Sequence, residues 1–156
     1  MKHGLYMFLF AFIVFLAAAV GFFLINYNQP AGVLIPQNIR YVKIAGQEVK
    51  VELALTPEIR TAGLSGRDGL KENEGMLFVF SKPGKFSFWM KEMNFPIDII
   101  WLGEDLKVVY IKKDARPESY PESYGLDVNA KYVLEVNADF SEKNNLQVGD
   151  PAVFTY

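Results

Sequence analysis

Apolar and polar residues alternate along this chain in two distinct ways. From Leu5 to Ile25 the run LYMFLFAFIVFLAAAVGFFLI contains no charged residue. Beyond Ile39, apolar residues recur at every second position instead. As a helix the first run would be about 31 Å long, enough to cross a hydrocarbon core of roughly 30 Å. A core helix would need a polar stripe, which this segment lacks. A cleaved signal peptide is the competing expectation, with Lys2 as its charged start and Ala17-Ala18-Ala19 as its small-residue cleavage site. The run continues past those alanines through Val20, Phe22, Phe23, Leu24 and Ile25. Cleavage there would leave a hydrophobic N-terminus, so the pattern favours an uncleaved transmembrane anchor over 5–25. Lys2 lies before the span and the first charge after it is Arg40. The positive-inside rule then puts residues 1–4 in the cytoplasm and the C-terminal part outside the cell membrane. Residues 26–38, with Pro30, Gly32 and Pro36 and no charge, read as a linker.

The period-two pattern from 39 to 156 predicts strands. In Val49-Lys50-Val51-Glu52-Leu53-Ala54-Leu55 the apolar side chains fall on one face. Tyr41 to Ile44 is its hairpin partner across Ala45-Gly46-Gln47. Thr56-Pro57-Glu58 reads as a helix start (cap, proline and acidic first turn), with Gly63 or Gly66 as the stop. Further strands are expected at Met76 to Phe80, Phe86 to Met90, Ile97 to Leu102, Leu106 to Lys113, Tyr132 to Val136 and Asp150 to Tyr156. Val108 to Ile111 is apolar on both faces and predicts a central strand. Residues 113–129 read as a long loop, and Phe140 to Asn145 as one helical turn. The sum is a mainly β domain, a small β-sandwich or barrel with one or two short helices, preceded by a single transmembrane helix.

Composition narrows the chemistry. The chain has 156 residues, no cysteine, and a single histidine, His3, near its start. Disulfides, thiolate nucleophiles, zinc-thiolate sites and imidazole catalysis are thereby excluded from the domain, and no metal or cofactor site is expected. Net charge is −2, with Lys2 the only charged side chain before Arg40. The domain is therefore mildly acidic, which argues against a nucleic-acid partner.

Candidate groups are carboxylates, cations and aromatics. Asp98 lies within the apolar Pro96-Ile97-Asp98-Ile99-Ile100-Trp101. It is either a ligand-binding or acid/base carboxyl, or an acceptor for backbone amides that holds a strand end. Arg60 and Arg67 flank the short helix and would either grip an anion or pair with Glu135 or Asp98, locking helix to sheet. In Phe86-Ser87-Phe88-Trp89-Met90, alternation puts Phe86, Phe88 and Met90 on one face and Trp89 with Lys91 on the other. An indole beside a cation suits a flat ligand or a sugar, although a tryptophan on a sheet is more often plain packing.

Arg60, Gly63-Leu64, Arg67 and Leu70 are followed by Gly75-Met76-Leu77-Phe78 and Phe80, then by Phe88-Trp89-Met90-Lys91. Pro96-Ile97-Asp98-Ile99, Tyr132-Val133-Leu134-Glu135-Val136-Asn137 and Gly149-Asp150 come after them. Together these blocks resemble the DUF192 family, a bacterial and archaeal domain of unknown function that often follows an N-terminal signal or anchor. Two departures are Glu92-Met93, where the family often has Asn-Thr, and the absence of glycine after Asn137-Ala138. The resemblance implies a compact, mainly β domain and no particular reaction. It gathers Arg60, Arg67, Trp89, Lys91, Asp98 and Glu135 as candidate ligand-binding residues. The expectation is a membrane-anchored binding module outside the cell. It would touch membrane lipid through its helix and an envelope polysaccharide or membrane protein through its domain. The alternatives are a glycan-directed hydrolase using Asp98 and Glu135 as its acids, or a purely structural assembly component.

Overall fold

Backbone geometry at Ala45 (φ 48°) and Gly46 (φ 73°) turns the chain tightly enough to pair β1 (Tyr41–Ile44) with β2 (Gln47–Ala54). The computed structural model describes residues 35–156; the predicted membrane span and most of the linker lie outside them. Among the described residues no helix is long and apolar enough to cross a membrane.

Thr56 caps the next element, its side chain accepting a hydrogen bond from Ile59 N at 3.3 Å. With Pro57 in the first turn and Gly63 at φ 51° as its terminator, α1 is confined to Pro57–Ala62. It crosses to β3 (Glu74–Lys85), which runs parallel to β2. Then come β4 (Phe88–Trp89), β5 (Ile97–Leu102), β6 (Val108–Ala115), β7 (Ser123–Tyr124), β8 (Asn129–Asn137), α2 (Phe140–Lys143) and β9 (Ala152–Thr155).

Seven strands form one sheet in the order β6-β5-β8-β3-β2-β1-β9, and β4 pairs with β7 as a separate ribbon. The sheet curls into a half-barrel whose edges meet at one end. Lys107 bridges Pro151 there, and Ala152 N donates to Leu106 O at 2.8 Å. The expected choice between sandwich and barrel is thus settled by the curl.

Both faces of the sheet are covered. Val42, Val49, Leu77, Ile100, Leu134 and Phe154 share one face by register and are buried. Met76, Phe78, Ile99, Trp101 and Val133 share the other, where Leu64, Met90, Met93 and Tyr124 pack on them. The strand expected to be central, Val108 to Ile111, lies in β6 at the sheet's edge, with Val109 exposed. Double-sided burial belongs to β5, where all six residues are buried. A curled sheet covers part of its edge strand as well, so apolar residues on both faces of β6 did not require a central place. The expected long loop contains β7, because Tyr124 pairs with Phe88.

Candidate functional site

Strand register draws a line of side chains across the second face. Glu52 is opposite Met76, Met76 opposite Glu135, and Glu135 opposite Ile99. Glu135 therefore sits in mid-sheet, flanked by a thioether and a branched alkyl chain. It is 5% exposed, and its Oε2 has no hydrogen-bond partner. Burial pushes its carboxyl up to about 8, and the positive charge of Arg67 offsets only part of that rise. Near neutral pH the side chain is mostly a neutral acid.

Above Glu135 is a pocket of about 460 Å³ between α1 with its following turn and the β3–β4 connection. Its walls are aromatic because β3 presents Phe78 and Phe80 on this face, and the chain returns with Phe86 and Phe88. Phe80 and Phe86 stack with centroids 3.5 Å apart, and Phe78 meets Phe88 edge-on at 4.8 Å. Trp101 Nε1 donates to Phe86 O at 2.9 Å, tying the wall to β5. Trp89 stands at the mouth, 53% exposed, with its ring edge-on to Tyr120 at 6.2 Å.

Arg60 supplies the cation. Its Nη1 donates to Leu55 O at 2.6 Å and Val79 O at 3.2 Å, while the guanidinium carbon lies 5.1 Å from the Phe80 ring centre. Two carbonyls and a ring face hold the head group at the wall. Lys85 also lines the pocket but is paired with Asp127 at 3.0 Å.

Three of the six candidate residues thus converge: Arg60, Trp89 and Glu135. Arg67 lies outside the lining and grips Glu52 through two bonds of 2.7 and 2.8 Å. Its partner is neither Glu135 nor Asp98, and α1 ends too soon to align it with Arg60. Glu52 is correspondingly held below its usual carboxylate range by that bond. Lys91 is exposed, 3.9 Å from Glu92, and contributes its carbonyl to the Ser65 hydroxyl at 2.8 Å. Asp98 is wholly buried but projects from the opposite face, beside Val136. Its oxygens accept from Asp114 N at 2.9 Å and Ser141 N at 2.8 Å, pinning the end of β6 and the start of α2 to β5.

Phe78, Phe80 and Leu64 join the site although the sequence pattern marks them only as core. The alternation Met76, Phe78, Phe80 puts these three on one face of their strand, and only the β3–β8 register adds Glu135 to that face. Of the three hydroxyls in the lining, Ser65 donates to Lys91 O at 2.8 Å and Thr61 to Pro57 O at 2.9 Å, while Ser87 is exposed on the β3–β4 connection. None of the three is hydrogen-bonded to Glu135, so the described residues assemble no base-activated nucleophile. The arrangement suits selective binding of a small molecule with an apolar body.

Residues 40–154 match the model of the DUF192 family, described as an uncharacterized ACR. Two solved structures share the fold. A protein of unknown function from Novosphingobium aromaticivorans DSM 12444 has 29% identity and a TM-score of 0.69, covering 74% of this chain and 84% of that one. A Sinorhizobium meliloti 1021 protein, described as a "putative transcription regulator", has 28% identity and a TM-score of 0.66, covering 73% and 90%. No curated protein matches.

Proposed function

The chain belongs to the DUF192 family, and from that premise we propose that its domain is a small-molecule binding module held at the outer face of the cell membrane. One observation carries the binding half. Glu135, whose buried carboxyl has an oxygen without a hydrogen-bond partner, lines an aromatic-walled pocket. A buried polar atom without a partner costs about 1–3 kcal/mol, and a ligand that satisfied it would recover that cost. Aromatic walls with a few convergent polar groups are the usual make-up of a ligand pocket. A nucleic-acid partner is disfavoured, since the domain is acidic overall and Arg67, Lys85 and Lys131 are paired with carboxylates.

The uncharged run from Leu5 to Ile25, with Lys2 before it, supports the anchor and its orientation. A C-terminal reporter active only outside the cytoplasm is the expected result, and one active only in the cytoplasm would overturn the orientation. For the pocket, the test is a fragment screen read by NMR on the full chain. Hits should shift signals of Leu64, Phe88 and Trp89, and Phe88→Ala should abolish those shifts. Hits confined to other surfaces would sink the reading.

A further inference from the structure

The two polar elements of the pocket differ in sign and position. Glu135 lies level with Met76 on β3, while Arg60 is bonded to the carbonyl of Val79, three residues along the same strand. At about 3.3 Å per residue the two sites are separated by roughly 10 Å. Phe78 lies between them on the same face, and Phe80 lies at the Arg60 end, its ring 5.1 Å from the guanidinium carbon. An acidic group at one end, a guanidinium at the other and an aromatic wall between them form a bipolar slot.

Each end still has bonding capacity. Glu135 Oε2 has no partner. Only Nη1 of Arg60 has partners among the described residues, leaving Nη2 and Nε to donate. We propose, resting on the pocket reading above, that the ligand is an extended zwitterion. Its ammonium group meets Glu135, its acidic oxygens meet Arg60, and an apolar, preferably flat, spacer lies along Phe78 and Phe80. An amine alone would share the pocket with an uncompensated guanidinium. An acid alone would leave the Glu135 oxygen unsatisfied, and only a molecule carrying both groups serves both ends.

The charged groups facing Glu135 are few. β3 and β5 present Met76 and Ile99 beside it, and the segment after α1 presents Arg67, whose charge is engaged by Glu52 and offsets only part of the cost of burying Glu135. An arriving ammonium group would be the first cation to hydrogen-bond to it. Glu135 then ionises on binding, and its proton leaves to solvent.

The experiment is calorimetry on the full chain in phosphatidylcholine nanodiscs, with empty nanodiscs as blank and two buffers of different ionisation enthalpy. The probes are para-(aminomethyl)benzoate, benzylamine, benzoate and toluene. The expected result is that para-(aminomethyl)benzoate binds about tenfold or more tightly than benzylamine or benzoate, with release of close to one proton at neutral pH. Glu135→Gln, which preserves the shape of the neutral acid, should abolish proton release and that advantage while leaving benzoate affinity unchanged. Arg60→Met should weaken benzoate and strengthen benzylamine, which no longer shares the pocket with the guanidinium. Equal affinity for benzoate and para-(aminomethyl)benzoate, or binding of the latter without proton release, would overturn the proposal. Toluene binding in the pocket while the amines fail would overturn it and leave the pocket reading standing. Failure of all four probes would remove both.

Discussion

Asp98 and Glu135 lie on adjacent strands, one register step apart, and project from opposite faces of the same sheet. The cross-strand partner of Glu135 is Ile99 and that of Asp98 is Val136. Alternation along each strand therefore points the two carboxyls away from each other. A glycoside hydrolase needs its two carboxyls on either side of one bond, and this pair cannot flank a shared substrate. The two acids also differ in supply. Asp98 accepts two backbone hydrogen bonds, and Glu135 Oε2 accepts none.

That contrast gives Asp98 a structural prediction. In Asp98→Asn one of the two acceptors becomes an amino group facing a backbone N–H, either Asp114 N or Ser141 N. The buried site then holds two opposed donors, at a cost of about 2–3 kcal/mol. Chemical denaturation should show this loss, while probe binding in the Glu135 pocket of the folded protein should be unchanged. Equal stability of variant and wild type would contradict the role.

Glu135 predicts a pH dependence whose sign follows from its raised pKa. The unfolded chain loses this proton near 4.5, whereas the folded chain keeps it to about 8. Between those values the folded state binds more protons, so stability falls as pH rises, and the fall is complete once pH passes about 8. At about 1.4 kcal/mol per pH unit the upper bound is on the order of 4–5 kcal/mol. Urea unfolding at about pH 5 and about pH 8.5 should show wild type losing stability relative to Glu135→Gln, which cannot ionise. Parallel pH profiles for the two proteins would contradict a buried, unpaired carboxyl.

Arg67 and Glu52 are both accessible, so breaking their bidentate pair should cost less than about 1 kcal/mol despite its good geometry. The larger effect is electrostatic. Arg67→Met should raise the Glu135 carboxyl further, because the one cation that favours its ionised form is gone. Glu52 should return towards its usual range, since its lowering comes first from the Arg67 hydrogen bond. Carbon-detected NMR titration of the side-chain carboxyls would register both movements, and a stationary Glu135 would argue against coupling along the sheet.

The strands were legible in the sequence because period-two alternation is a local signal, and so was α1, whose Thr56, Pro57 and Gly63 occupy the positions expected of its cap, first turn and stop. The order of strands was not. The edge position of β6 depends on β8 inserting between β5 and β3, a long-range pairing that leaves no local mark. The site was legible in part. Glu135, Arg60 and Trp89 drew notice as polar or exposed-aromatic residues within motif blocks. Phe80 and Phe86 read as ordinary core, and their place as pocket walls depends on the stack they form across a stretch where the β3–β8 register shifts, between Val79 and Gly84. Arg67 could not be matched to Glu52 from sequence, because fifteen residues separate them and only the parallel β2–β3 pairing sets their approach.

Trp101 links the core to the pocket and supplies the last prediction. Gly125 has φ 75°, and a Cβ built there would stand 2.5 Å from two carbons of the Trp101 indole. Gly125→Ala therefore combines a left-handed backbone with a collision against a wholly buried ring, and should cost about 2 kcal/mol or more. Relief requires the indole to move, which breaks its 2.9 Å bond to Phe86 O and loosens the aromatic wall facing Arg60. Emission from Trp101 reports this if the exposed Trp89 is first replaced by Phe, leaving a single indole. In that background Gly125→Ala should shift the emission to the red and weaken probe binding in the pocket. An unchanged spectrum with weakened binding would show that the wall depends on something other than the Trp101 anchor.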